Sequence, residues 1–140
     1  MIVNNTFSKT VDLLHRAMSV SSLRQDVIAN NLTNADTPNF KRTDVNFESE
    51  LRRALDSEKY KPALELRLTH PKHIPNWKPR DYQDVKPRRV LDYLTQSDNN
   101  GNNVDMEEEI NLLLKNQLRY MLMAQAAAYE FGQVSMVLRG

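Results

Sequence analysis

Three histidines, three glycines and no cysteine leave little from which a catalytic or metal-binding site could be assembled. His70 and His73, in HPKH, could share a metal ion in principle. The proline between them opposes the helix that would aim both rings at one point, and no clear carboxylate partner lies close in sequence, so they read as surface histidines. Asp98, Asn100, Asn102 and Glu109 fall at positions one, three, five and twelve of a calcium-binding loop. That loop needs glycine for its sharp turn, where this sequence has Asn103, and charged Asp105 follows the mid-loop carbonyl position. A loop leading into a capped helix fits the residues better. No glycine-rich stretch cradles a phosphate, no Ser-His-Asp spacing suggests a nucleophile, and without cysteine there are neither disulfides nor thiolate ligands. The residues point away from an enzyme, a resident metal or cofactor, and a small-molecule substrate.

The segment from Lys72 to Arg89 carries six lysines or arginines against Asp81 and Asp84, with Trp77 and Tyr82 interleaved, a composition that resembles a nucleic-acid surface. No nucleic-acid motif accompanies it, and 19 basic residues nearly cancel 18 acidic ones. A solvated basic stretch is the better reading, with a nucleic-acid-binding adaptor as the main competitor. At 140 residues the chain is the size of one ordinary domain, too short for two well-formed cores. Its N-terminus, MIVNNTFSKTVDLL, lacks the basic start and apolar run of a cleaved signal peptide, and no window approaches the roughly 18 apolar residues of a membrane span. Membrane insertion is not expected, and any passage out of the cytoplasm needs another route. The absence of cysteine would suit such a crossing between reducing and oxidising compartments.

With chemistry so thin, the apolar patterns carry the argument. From about Ser8 to Leu32, residues Leu13, Leu14, Ala17, Met18, Val20, Val27, Ile28 and Leu32 fall within about half of a helical wheel, which predicts an amphipathic helix with a broad buried face. From Met106 to about Leu138, residues Ile110, Leu113, Leu114, Tyr120, Met121, Ala124, Ala127, Ala128, Phe131, Val134 and Leu138 keep a three-four spacing, interrupted by polar Gln117 and Ser135. Asp105, three residues before Glu108, starts that helix in the manner of a capping box, and Glu107 to Glu109 place negative charge where the helix dipole favours it.

Such a helix is on the order of 50 Å long at about 1.5 Å per residue and cannot bury its stripe on itself. Pairing the two helices still covers only part of two broad faces, so other chains are expected to cover the rest. The alanines from Ala124 to Ala128 permit close approach, and Met18, Met121, Met123 and Met136 can adapt to non-identical neighbours. Alone, each helix lacks enough neighbours to offset its ordering entropy, so both are expected to become helical on assembly. A small regulatory coiled-coil protein is a third reading.

Residues 41–103 hold five of the six prolines and little sustained periodicity. One short helix is predicted there, capped by Asp44 and striped by Val45, Phe47, Leu51 and Leu55. A half-exposed strand is predicted in ALELRLTH, with Leu64, Leu66 and Leu68 on one face, and a turn or flexible loop in SDNNGNN, Ser97 to Asn103. The fold class is therefore mainly α. Residues 1–40 and 104–140 form a coiled-coil-like helical domain, and residues 41–103 form a small irregular, β-containing, proline-rich middle region.

The helix end IANNLTNADTPNFKR, Ile28 to Arg42, holds four asparagines. Thr37 before Pro38 should leave the helical region, and Asp36 or Asn39 can satisfy the freed backbone groups. The amides of Asn30, Asn31 and Asn34 are also placed to hydrogen-bond neighbouring subunits. Extended back to Leu23, this stretch resembles the N-terminal signature of flagellar axial proteins, the rod, hook and hook-associated families, whose usual form is a helix ending in Asn-Ile-Ala-Asn followed by Asn-Thr-Pro-Gly-Tyr. The stretch NGNNVDMEEEINLLLKNQLRY, Asn100 to Tyr120, is similar to that of the proximal-rod members. Leu32 and Thr33 replace Ile-Ala, Asn39 replaces the turn glycine and Phe40 replaces tyrosine. Asn is the residue best able to take glycine's left-handed conformation, and Phe40 can still pack.

The resemblance implies a structural subunit of the proximal rod of the bacterial flagellar basal body, polymerising through its terminal helices around the axial export channel, with the middle region as the variable outer part. It implies a link from the membrane ring and export apparatus to the rest of the rod, and transmission of torque. The implied partners are other rod subunits, copies of itself and related ones, a basal-body adaptor at the membrane ring, and the flagellar type III export apparatus. Through that apparatus it would reach the periplasmic rod without a cleaved signal peptide. The positions expected to pack subunits are Asn30, Asn31, Asn34, Thr37, Pro38 and Phe40 of the signature, with Ile110, Leu113, Leu114, Tyr120, Met121, Ala124, Ala128 and Phe131 of the C-terminal stripe.

Overall fold

The computed structural model describes residues 6–59, 67–74, 78–95 and 99–139. Two long helices dominate: α1, Thr6–Thr33, and α3, Met106–Arg139. Between them come β1 (Thr43–Asn46), α2 (Glu48–Lys59), a single 3₁₀ turn (Tyr82–Asp84) and β2 (Arg88–Leu91). The mainly α architecture with a small β element is the one expected.

No proline or glycine interrupts α1. It ends by tightening, with Asn34 N–H donating to Asn31 O at 3.1 Å and Ala35 N–H to Leu32 O at 3.3 Å. At the start of α3, Asp105 Oδ1 accepts from the N–H groups of Glu107 (2.9 Å) and Glu108 (3.2 Å), the cap the sequence predicts. The short middle helix begins later than expected. Val45 lies in β1, Asp44 Oδ1 accepts from Val45 N–H, and the first helical bond runs from Leu51 N–H to Phe47 O. Asp44 is therefore not the cap, because the chain stays extended to pair with β2 before turning helical.

Asp92 N–H donates to Arg42 O at 2.9 Å, just beyond β2 and just before β1, so the two strands run antiparallel. This pairing joins segments about 45 residues apart and leaves no mark on local pattern. The strand expected around Leu64 and Leu66 falls on residues 60–66, outside the described residues, and Leu68 is exposed. Of the turn or flexible loop expected in SDNNGNN, the described end is a turn, with Asn102 and Asn103 buried.

The chain forms two compact units, residues 1–45 with 89–140, and residues 46–88. In the second unit Phe47 and Ala54 are buried, Ser57 Oγ accepts from Arg80 N–H at 2.9 Å, and Glu50 bridges Arg53 and Arg80. In the first, α1 and α3 pair antiparallel, with Phe7 against Phe131, Ser21 against Asn116 and Asn31 against Glu109. Its buried apolar residues are Val20, Val27, Ile28, Ala35, Val45 and Val104. Its buried polar residues, Ser21, Asn31, Asn102, Asn103, Glu109 and Asn116, are as numerous. Burial of apolar area alone does not account for such an interior, so its hydrogen bonds must specify it.

Candidate functional site

The polar residues of the first unit converge where α1 ends and α3 begins, a region termed the joint below. Asn31, 1% exposed, presents its amide to the backbone of Thr43 as a neighbouring strand would: Nδ2 donates to Thr43 O (2.8 Å) and Oδ1 accepts from Thr43 N–H (3.1 Å). Nδ2 also donates to Glu109 Oε2 at 3.2 Å. The other oxygen of Glu109 accepts from Arg42 Nε, forming an ion pair whose side chains are 17% and 1% exposed. Burial alone would lower the pKa of Arg42, but the bond to Glu109 and that carboxylate's charge outweigh it and raise the pKa above its ordinary value. Because a raised cationic pKa is lost only at more alkaline pH, the pair persists through neutral and moderately basic conditions.

Asn102 closes the end of α1. Its Nδ2 is shared among the carbonyls of Asn34 (3.0 Å), Ala35 (2.6 Å) and Thr37 (2.9 Å), while Oδ1 accepts from Val104 N–H. Carbonyls in the turn after α1 thus draw bonds from more than 60 residues away, in place of the Asp36 or Asn39 expected from local turn chemistry, while the last helical carbonyls, Asn30, Asn31 and Leu32, accept locally from Asn34 and Ala35. Asn103 lies beside it, accepting from Arg42 N–H and donating to Asp92 O. Asn39 has φ 59°, the left-handed conformation expected of the residue replacing glycine, and its N–H donates to Asn100 O at 3.1 Å. Gly101 packs so close that a Cβ there would lie 2.7 Å from Asn39 Oδ1, at a φ of +81°.

Two turns further along the helix pair, Ser21 Oγ donates to Asn116 Oδ1 and Asn116 Nδ2 returns a bond to Ser21 O, both at 2.8 Å. Sequence periodicity singles out Gln117 as the polar interruption of α3. The buried amide is its neighbour Asn116. Among the described residues no buried side-chain polar atom lacks a partner.

Beyond Ser21 and Asn116 the character changes. Along Thr6–Ser19 of α1 and residues 117–139 of α3, termed the arm, no described residue is buried. Leu118, Met121 and Leu122 are between 58% and 65% exposed, and Met136, Val137 and Leu138 between 69% and 81%; the stripe begins before the arm, with Ile110 (49%) and Leu114 (53%). Leu113, Ala127 and Val134 are half-covered, on the side of α3 that carries buried Glu109 and Asn116, while Ala124 and Ala128 are exposed. Tyr120 (45%) and Phe131 (54%) are exposed too, although Phe131 meets Phe7 edge to face at 5.7 Å. The apolar arc of α3 is therefore wider than α1 can cover.

The signature residues divide between inside and outside. Asn31 spends its amide within the chain, Asn30, Thr37 and Pro38 are exposed, Phe40 is half-buried, and Asn34 Nδ2 donates to Asn30 O. Sequence reasoning missed Ser21, Arg42, Asn102, Asn103, Glu109 and Asn116 as a cluster. The crowding of asparagines at both 30–34 and 99–103 was the available signal.

The residues weighed for chemistry lie apart. His70 and His73 face each other at 5.7 Å on an exposed turn where His70 Nδ1 accepts from Lys72 N–H. Glu109 and Asn102, read against a calcium loop, are occupied in the joint. Among the described residues no three or more His, Cys, Asp or Glu stand together as metal ligands, and no helix is long and apolar enough to cross a membrane. In the basic segment Trp77 lies outside the described residues, and Arg80 pairs with Glu50 at 3.5 Å.

The sequence profile of the family described as flagella basal body rod protein matches residues 14–41, most of α1 and the turn after it. Over 135 residues the chain is 46% identical to the flagellar basal body rod protein FlgB of Borreliella burgdorferi, covering 96% of this chain and 99% of that relative. The same figures hold for FlgB of Borrelia hermsii. FlgB of Bacillus subtilis is 33% identical over 136 residues, with 96% of each chain covered.

Proposed function

The chain belongs to the FlgB family of flagellar basal body rod proteins and is a structural subunit of that rod, and from this premise we propose that it polymerises through the arm. The exposed face of α3 carries this reading. A stripe running from Ile110 and Leu114 through Leu118 and Met121 to Met136 is too long and too apolar to be left to water when the same helix pair repeats in an assembly. Ile110, Leu113, Leu114, Tyr120, Met121, Ala124, Ala128 and Phe131 pack against neighbouring subunits, copies of this chain and related rod proteins. The small residues set close approach and the methionines accommodate non-identical partners. Asn30, Asn34, Thr37, Pro38 and Phe40 lie at the exit from α1, where neighbours meet the chain as it leaves the helical part, and Asn31 supports that exit from within.

At the base of the rod, such a subunit links the membrane ring and its adaptor to the rest of the rod and transmits torque through interlocked helices. It reaches the periplasmic rod through the flagellar type III export apparatus without a cleaved signal peptide. Ala128→Trp tests the arm. Ala128 is exposed in the single chain, so the variant is expected to fold with unchanged helix content yet fail to enter rods, read by its loss from isolated basal bodies. Normal incorporation of Ala128→Trp and of Ala124→Trp would remove the arm from the interface.

A further inference from the structure

We propose that the buried polar contacts of the helix pair, Ser21 with Asn116 and Asn31 with Glu109 and Arg42, set the longitudinal register of α1 against α3 in the single chain. The register in turn fixes where along its length each subunit offers its exposed α3 face; this second step rests on the proposed function, the first does not.

The contacts across the pair differ in how sharply they define position. Along the arm the half-exposed residues are largely leucine, methionine, alanine and valine, with Phe7 edge to face on Phe131, and such apolar surfaces tolerate sliding better than paired polar groups because dispersion is non-directional and methionine repacks. The polar contacts do not tolerate it. Asn116 and Ser21 exchange two bonds of 2.8 Å, and Asn31 holds Glu109 while clamping Thr43 on its other side. Moving α3 by one turn, about 5.4 Å, replaces Glu109 by Leu113 and Asn116 by Tyr120 in one direction, or by Asp105 and Leu112 in the other. In the first case the Asn31 amide and the Arg42 guanidinium face an aliphatic side chain. In the second, Ser21 loses its reciprocal partner. Neither slip restores both levels, so each alternative strands buried polar groups that water cannot reach.

The lock also reaches beyond the helices. Arg42 and Thr43 belong to the segment leaving α1, so the same cluster ties the exit of the chain to the start of α3. A single buried polar residue can select register in paired helices at a cost in stability. This chain has two levels of them on one pair.

The chain contains no cysteine, so two engineered ones report without interference. Spin labels at Gln25→Cys and Gln133→Cys, both exposed and offset by roughly 30 Å along the helix axis at about 1.5 Å per residue, read the register of the full-length monomer. The parent is expected to give one narrow distance distribution. With Ser21→Ala, Asn31→Leu, Arg42→Leu, Glu109→Leu and Asn116→Leu together, helix content should persist while the distribution broadens or splits in steps of about 5 Å. Retained helix content with the single parental distance would overturn the proposal. If that variant fails to fold, Ser21→Ala with Asn116→Leu decides, since it leaves the Arg42–Glu109 pair in place and frees only the slip that brings Asp105 opposite Asn31: a second population displaced by one turn supports the lock and a single parental distance overturns it. Because the readout is on the monomer, it is separable from assembly. A register-broadened variant that still builds normal rods would contradict packing through the arm and leave the lock standing.

Discussion

In the joint Asn31, Asn102 and Glu109, and further along the pair Ser21, are at most 2% exposed, whereas along the arm of the same helix pair no described residue is buried. One region closes on itself with directional bonds; the other keeps apolar surface uncommitted. The difference separates two tasks within α1 and α3. Among the described residues the buried polar contacts of the pair lie towards one end, and under the proposed function the exposed remainder is the part offered to neighbours.

Hydrogen exchange on the dilute chain should expose the contrast most strongly. Amides from Val27 to Asn31 and from Glu109 to Asn116 are expected to exchange on the order of a thousandfold more slowly than those of Thr10 to Ser19 and Leu122 to Val134. Equal protection in both regions would erase the distinction. Next in size is Glu109→Ala, which leaves Arg42 without its hydrogen-bonded anion and removes the acceptor of one Asn31 amide N–H in a nearly closed site. A loss of about 3–5 kcal/mol in a urea melt is expected. Asn102→Ala removes the bond to Ala35 O and the second bonds to the carbonyls of Asn34 and Thr37, which keep the N–H groups of Thr37 and Phe40, and about 1–3 kcal/mol is expected by the same measurement. In the arm, Phe131→Ala removes a half-exposed ring and its edge-to-face contact with Phe7, and a loss of about 1 kcal/mol should result. The smallest effect on the monomer is expected from Leu118→Glu with Met121→Glu, within about 0.5 kcal/mol of the parent, although incorporation into basal bodies should be abolished. If the arm variants were as costly to the isolated chain as Glu109→Ala, the arm would be part of the core and the division would fail.

The long helices were legible because their apolar spacing and the Asp105 cap are local, and the left-handed Asn39 was legible because few residue types take that conformation. The joint was not, since each of its residues has a sufficient local explanation. Glu109 reads as one of three acidic residues at a helix start, Asn102 as turn material and Asn31 as one of several amides in a helix end. Their partners lie 65 to 78 residues away in sequence, and spacing says nothing about which member of an acidic run turns inward. For the same reason the pairing of β1 with β2 left no trace, both strands being four residues long. A clue at the level of composition was present, because asparagines gather at exactly the two segments that meet.

Phe7 beside Phe131 places the start of α1 and the end of α3 at the same end of the pair. Tension drawn between these two ends would load the helices as a zipper and not as parallel cables, so each turn of the arm would yield by itself at low force. Resistance should then rise sharply at Ser21 and Asn116 and again at Asn31 and Glu109, where several bonds must break together. The subunit is therefore expected to be mechanically graded along its own length, soft at its tips and stiff at its root.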